Sequence, residues 1–263
     1  MTFIQSHINK IMDCYMSYTE KDVEVRKKLE KEMLGFANDY VLKEWEIPAL
    51  IKGDILKKCG YFTSMPHQLT SIGYIKENAI GHVVERNDIS SDDTSKSEYF
   101  LTPAACIHLY PMLEKEQLEN VVITTHARVY RYENAQFEKG QRLWDFAVRE
   151  FVAVGIPGFV QAFLRDFQNK SLELCKKLGI EAKLSASNDH FYPTKENSLM
   201  QKIQKANNLK IELIADSGEK PLAIASYNYH NYHFSKPFHF DKNEKIVTGC
   251  VGFGLDRWLN IIR

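Results

Sequence analysis

The strongest hydrophobic pattern in the chain is a double alternation over residues 127–155. Val129, Arg131 and Glu133 fall on one face of an extended segment and Tyr130 and Tyr132 on the other, which is the period of a strand. The polar connection 134–141 holds one glycine and predicts a hairpin loop. Alternation then resumes, with Phe146 and Val148 on one face, Ala147, Arg149 and Phe151 around them, and then Glu150 and Val152. Helical spacing appears at 19–40, where Val25, Leu29, Met33, Phe36 and Tyr40 form a stripe and Thr19 can cap the start. A second helix is predicted over 158–178 from Phe159, Phe163, Phe167, Leu174, Cys175 and Leu178, with Gly179 as its terminator. Trp45 to Pro48 reads as a short apolar strand, 187–193 as a turn, and 207–217 and 221–230 as two strands. Residues 86–98 are polar and aperiodic and predict a surface loop. The chain closes on TGCVGFGLDRWLNIIR, a strand of small residues running into a helix.

Arg131, Glu133, Arg142 and Glu150 thus sit among aromatic residues in one predicted strand pair. Charges there are costly unless they meet a partner or a ligand. Interstrand salt bridges and a ligand site both satisfy that demand, and the hairpin alone does not choose between them. The 263 residues suit one large domain, or one with a small appendage. Thirty-four basic residues balance 34 acidic ones, so no global charge points to a polyanion partner. No apolar run is long enough to span a membrane. A start lacking a basic region and an apolar core predicts no secretory signal. Together with five widely spaced cysteines, this gives an expectation of reduced thiols in the cytoplasm.

An Arg-x-Glu hairpin followed by a terminal GFGLDR helix resembles motifs 2 and 3 of class II aminoacyl-tRNA synthetases. In detail the chain is most similar to the amino acid:[carrier protein] ligases, truncated relatives of the atypical, zinc-dependent seryl-tRNA synthetases. The resemblance covers about 40–263. It implies an α+β fold, a central antiparallel sheet flanked by helices, with residues 1–40 as an N-terminal helical segment and 41–263 as the catalytic domain. The segment 45–60 and the following GYFTSMPHQLT resemble the motif 1 region, which implies a homodimer.

Site residues follow from the same resemblance. Arg131 would contact the α-phosphate of ATP and the amino-acid carboxylate, a task suited to a planar, permanently charged guanidinium. Glu133 would orient the adenine end, Arg142 would reach the outer phosphates, Phe146 would stack on adenine, and Arg257 would cover its other face or the γ-phosphate. Asp256 stands where the family more often has Glu. Cys106, Glu150 and Cys250 lie too far apart in sequence for a local zinc ribbon. Each, however, falls where the zinc-dependent relatives have a ligand, which implies a Zn²⁺ with one open position for the amine. Cys14, Cys59 and Cys175 are expected to be structural. SYNYHNYHF resembles the strand lining the amino-acid pocket, making Ser226, Asn228 and His230 pocket candidates. PLAIAS lacks the acidic residue that helps conventional seryl enzymes hold Mg²⁺, and Glu212 is the candidate substitute.

The function these features imply is ATP-dependent activation of a small amino acid, with transfer to the phosphopantetheine thiol of an acyl or peptidyl carrier protein. A seryl-type tRNA synthetase is the first alternative. The region before motif 1 is too short for a tRNA-binding arm and nothing follows Arg257 but six residues, so tRNA is not the expected acceptor. The second alternative is a non-catalytic synthetase-like regulator. Such paralogues usually lose the arginines that stand here at 131 and 257.

Overall fold

The expected hairpin forms, but it begins earlier than the alternation alone indicates. In the computed structural model its ladder runs from Val121 opposite Val154 to Tyr130 opposite Asp145. Both strands are buried on both faces over most of their length. Such strands read as continuous apolar runs rather than alternations. The structure describes residues 14–114, 116, 120–218, 220–239 and 245–262.

In chain order the elements are α1 (Glu20–Gly35), β1 (Leu42–Glu44), β2 (Leu50–Lys52), α2 (Gly53–Lys58), α3 (Tyr61–Ser64), β3 (Ser71–Ile75), α4 (Ile80–Arg86), β4 (Thr94–Leu101), α5 (Leu109–Leu113), β5 (Val121–Tyr130), β6 (Asp145–Gly155), α6 (Pro157–Lys177), β7 (Ala182–Ala186), α7 (Lys195–Ala206), β8 (Lys210–Asp216), β9 (Pro221–Asn231), β10 (Val247–Gly254) and α8 (Leu255–Ile262), with short 3-10 turns between them. Seven strands form one sheet in the order β1-β5-β6-β10-β9-β8-β7, antiparallel except where β1 runs parallel to β5. A second sheet has the order β2-β4-β3.

One face of the large sheet is covered by helices. Leu29 and Met33 of α1, Phe163 and Phe167 of α6 and Trp258 of α8 pack there on Phe151 and Phe253. Close approach of α6 to β10 depends on Gly249, where a Cβ would lie 2.7 Å from Val160 Cγ1 and 3.0 Å from the Asn228 carbonyl oxygen. On the opposite face, Ile51, Leu56, Ile107 and Tyr110 pack against Ile123, Val152 and Cys250. That second face carries the site.

Thr19 caps α1, its hydroxyl accepting from Asp22 N while Asp22 caps in return. The helix stops at Gly35 rather than at 40, and it shares its core with residues of the 41–263 segment. Residues 1–13 of the expected N-terminal segment lie outside the described residues. The expected strand at 45–48 is displaced to Leu42–Glu44. The expected loop at 86–98 is shorter: Thr94–Leu101 pairs with β3 as a polar strand. The second half of the motif 2 strand is also corrected. Arg131 lies just beyond the end of β5, and Glu133, Asn134 and Ala135 turn with left-handed φ of 48°, 55° and 56° instead of continuing extended. Among the described residues no helix is long and apolar enough to cross a membrane.

Candidate active site

Strand pairing gathers two of the three metal candidates. On the open face of the sheet Glu150 of β6 stands opposite Gly252 of β10, while Cys250 stands opposite Val152 on one side and Asn228 on the other. Cys106 arrives from the facing layer, on the 3-10 turn Cys106–His108 that leads into α5. The two sulfurs and a Glu150 oxygen lie within 4.8 Å of one another, and all three residues are buried. Gly252 makes room for the carboxylate, since a Cβ there would lie 2.8 Å from Glu150 Oε2. Burial pushes the Glu150 carboxyl up, partly offset by hydrogen bonding to the two cysteines and by the charge of Arg131. Hydrogen bonding with Cys106, burial and the neighbouring Glu150 all push the Cys250 thiol up. Two thiols and a carboxyl crowded together and buried are a donor set suited to a cation, and their softness suits zinc over magnesium or calcium.

Around this cluster opens a cavity of about 570 Å³. Every predicted site residue lines it: Arg131, Glu133, Arg142, Phe146 and Arg257; Ser226, Asn228, His230 and Glu212; and Cys106, Glu150 and Cys250. Arg131 is anchored through Nε to the Pro103 carbonyl oxygen at 2.8 Å, and its guanidinium lies 5.5 Å from the centre of the Phe146 ring. One face of the expected adenine-stacking ring is therefore already covered by an arginine. Arg257 is held by two carbonyl oxygens, Gln141 at 2.6 Å from Nε and Ala223 at 2.7 Å from Nη1. Burial, then the charge of Arg131, lower its affinity for its proton. Arg142 pairs with Glu133 at 3.2 Å. That half-exposed pair on a left-handed turn is inexpensive to open. Asp256, the mild departure from the family pattern, is structural: it accepts from Ala147 N and from the Tyr18 hydroxyl, fixing the start of α8 to β6.

At the amino-acid end, Asn228 Nδ2 donates to Cys250 Sγ at 3.5 Å and to Ser226 Oγ at 3.3 Å. His230 Nδ1 lies 3.0 Å from Thr248 Oγ1 and 3.3 Å from Tyr110 Oη. Burial holds His230 down to about 3, so it is neutral. Glu212 lies 3.5 Å from Lys210, which also pairs with Asp189 at 2.7 Å.

Several lining residues escape the sequence reading. Asp189 sits in the 187–193 turn, where polarity gave no hint of a site. Gln204 of α7 clasps it, Nε2 donating to Oδ2 and Asp189 N donating to Oε1, both at 2.8 Å. Burial alone would raise the Asp189 carboxyl, but Lys210 and Gln204 hold it below the usual range. Cys59, expected to be structural, also lines the cavity, close enough to Cys106 for their charges to interact. Beside the lining, Tyr110 is fully buried in the same apolar cluster as Cys106 and carries no pattern that marks it.

No family model matches the chain. Over 225 residues it is 32% identical to amino acid–[acyl-carrier-protein] ligase 1 of Bradyrhizobium diazoefficiens, covering 80% of this chain and 67% of that protein. Ligase 2 of the same organism is 30% identical over 222 residues, covering 80% and 66%. The chain therefore spans about two thirds of the length of these relatives. The type-2 serine–tRNA ligase of Methanococcus aeolicus is 26% identical over 234 residues, 81% of this chain and 45% of that one. Among solved structures, the M. kandleri seryl-tRNA synthetase in complex with A. aeolicus tRNASec matches with a TM-score of 0.70 at 17% identity, over 90% of this chain and 51% of its own. Giardia lamblia prolyl-tRNA synthetase in complex with prolyl-adenylate matches with a TM-score of 0.68 at 9% identity, over 98% and 51%. At these identities the structural likenesses establish the fold, which is that of class II synthetase catalytic domains.

Proposed function

Since the chain belongs to the amino acid–[acyl-carrier-protein] ligase family, with a catalytic domain of the class II synthetase type, we propose that it activates a small amino acid with ATP and passes it to the phosphopantetheine thiol of a carrier protein. In the first step an amino-acid carboxylate oxygen attacks the α-phosphorus and pyrophosphate leaves. In the second the carrier thiol attacks the carbonyl carbon of the aminoacyl-adenylate, losing its proton, and AMP leaves with the bonding pair. The observation that supports this reading is the convergence of three arginines, two from the β5–β6 connection and one from α8, on one cavity that also holds the buried Cys106–Glu150–Cys250 cluster.

Arg131, rigidly held by Pro103, would stay aimed at the α-phosphate as charge builds in the transition state. Arg257, tied to two carbonyls, would cover the nucleotide without needing to reorganise. Arg142 would exchange Glu133 for the outer phosphates, releasing Glu133 toward the adenine end. Phe146 would offer adenine the ring face that Arg131 leaves open, and Glu212 would share Mg²⁺ with the phosphates. Cys106, Glu150 and Cys250 would hold zinc. When bound, the metal supplies a Lewis-acidic seat for the neutral α-amine, which leaves the carboxylate free. Asn228, Ser226 and His230 would line the side-chain pocket around that seat. The reading also includes a homodimer acting in the cytoplasm, where none of the five cysteines is required to pair and none is disulfide-bonded.

Amino-acid-dependent pyrophosphate exchange across the twenty amino acids, followed by mass spectrometry of holo and apo carrier protein, tests the proposal. Exchange with one or two small amino acids and a mass gain on holo carrier alone are expected. No exchange with any amino acid would overturn it.

A further inference from the structure

The turn that carries Glu133 is strained. Glu133, Asn134 and Ala135 hold left-handed φ of 48°, 55° and 56° in succession. Asparagine tolerates that region, whereas glutamate and alanine press their Cβ against the following carbonyl. Two hydrogen bonds close the turn, Ala135 N donating to Tyr132 O at 2.9 Å and Gln136 N to Glu133 O at 3.3 Å. Such backbone persists only where its surroundings hold it. Three rings supply the hold. Tyr132, just before the turn, packs edge-on against Trp144 at 4.9 Å and against Phe137, just after the turn, at 5.9 Å. Phe137 and Trp144 lie within 7° of parallel, their centroids 5.9 Å apart. Trp144 is itself fixed, since Nε1 donates to Thr70 Oγ1 at 2.9 Å and its carbonyl oxygen accepts from Arg131 N at 2.8 Å. None of these rings lines the cavity, whereas Glu133 and Arg142 of the same hairpin do. Tyr132 is still 38% exposed, so the cluster serves the turn more than it extends the core.

We propose that Tyr132, Phe137 and Trp144 are positioning residues that clasp the two ends of the left-handed turn and so aim Glu133 at the base of the nucleotide. The inference rests on the nucleotide reading above. A carboxylate only accepts, and the donor on the base edge of adenine is its exocyclic amine. A hydrogen bond to that amine requires a fixed carboxylate. A turn free to relax to right-handed or extended φ would swing the Glu133 side chain out of line. With the clasp closed, the backbone keeps its form while Arg142 leaves Glu133 for the phosphates, so only side chains move on binding. Arg131 has its own anchor at Pro103 and does not depend on the rings for its aim. Loosening the clasp should therefore weaken recognition of the base and leave the chemical step alone.

Pyrophosphate exchange with ATP and with purine riboside triphosphate, which lacks the 6-amino group, tests this with the best-exchanging of the twenty amino acids. The proteins compared are the parent, Trp144→Leu, Phe137→Leu and Trp144→Phe. The parent should prefer ATP about tenfold or more, the worth of one charge-assisted hydrogen bond. Trp144→Leu and Phe137→Leu should raise KM for ATP about tenfold and lose most of that preference, with kcat and the amino-acid KM near parental. Trp144→Phe keeps a ring in the clasp and should keep most of the preference. A merely structural role would lower activity toward both triphosphates alike and leave their ratio unchanged. Where one leucine variant folds poorly, the other carries the test. Folded leucine variants that keep the parental preference overturn the inference while the nucleotide reading stands. A parent that exchanges equally with both triphosphates takes Glu133 off the base and overturns the inference as well. A parent that neither exchanges nor binds ATP in calorimetry overturns the nucleotide reading with it.

Discussion

Arg131 is the first residue beyond β5, where its Nε is committed to Pro103 and its guanidinium rests over Phe146. Replacing it with Ala removes one fixed positive charge from the cavity but no residue of the core. Arg131→Ala should therefore melt near the parental temperature while adenylate formation falls about a hundredfold, roughly 3 kcal/mol of transition-state stabilisation. Pyrophosphate exchange at near-parental rate in that variant would remove Arg131 from its role. Gly252 offers a second test at the same scale. Its backbone needs no left-handed φ, and the first atom an added Cβ meets is the flexible end of Glu150, at 2.8 Å. Gly252→Ala should thus fold normally yet push the carboxylate off the cluster, lowering metal retention by on the order of tenfold. Elemental analysis after dialysis reads the outcome, and full metal content would mean that the carboxylate is not a ligand. Residue chemistry of this kind was only half legible in the sequence. The Cys106–Glu150–Cys250 set emerged from resemblance, not from spacing. Asp189 was invisible because a polar residue in a turn reads as solvated until the fold brings Gln204 and Lys210 to it, and Tyr110 because a lone aromatic reads as core.

Where elements meet, a buried ion cluster ties α1 to the sheet. Glu30 Oε1 accepts from His126 Nδ1 at 2.7 Å and from Arg149 Nε and Nη2 at 3.1 and 3.0 Å, while Arg149 Nη1 donates to Glu44 at 2.8 Å. One helix and strands β1, β5 and β6 are joined in this way. Burial by itself would raise the Glu30 carboxyl, but the bonds and charges of His126 and then Arg149 hold it below the ordinary 4.5. A carboxyl lowered in the folded state binds fewer protons than in the unfolded chain. Its stabilisation is therefore complete above pH 4.5 and is lost as pH falls through the lowered value. Glu30→Gln leaves the Arg149 guanidinium buried with only exposed Glu44 for an anionic partner, which costs about 3 kcal/mol at neutral pH. Melting curves should show the variant less stable at pH 7, with the gap to the parent narrowing below about pH 4.5. A constant gap would show that the Glu30 charge is not the cause. Elements with a wide apolar face, α1, α6 and the central strands, were readable from periodicity, and the Thr19 cap from its hydroxyl. The polar strand β4 and the helix α7 were not. The strand alternates no apolar face, and α7 carries Leu199, Met200 and Ile203 at helical spacing but leaves all three exposed and buries only Asn197.

For the whole molecule, the open question is what covers the β1 end of the large sheet. β1 is a three-residue edge strand; Val41 and Leu42 at its start are 67% and 37% exposed, and Leu50, which begins β2 of the second sheet, is 45% exposed. Short edge strands limit uncontrolled pairing, but exposed apolar side chains at one favour a specific partner. A twofold copy meeting this chain through the segment 45–60 and its flanks would remove that surface from water. Every predicted site residue, by contrast, comes from this one chain and lines one cavity. Assembly and site should therefore be separable. Sedimentation velocity of the parent at micromolar concentration should give about twice the 30.5 kDa chain mass. Leu50→Asp, which would place a carboxylate in the interface, should sediment as the single chain, keep its metal, and melt at a lower temperature because β1 loses its cover. A parent that sediments only at 30.5 kDa rules out the dimer. A Leu50→Asp monomer that has lost its metal would instead mean that the partner holds the site together.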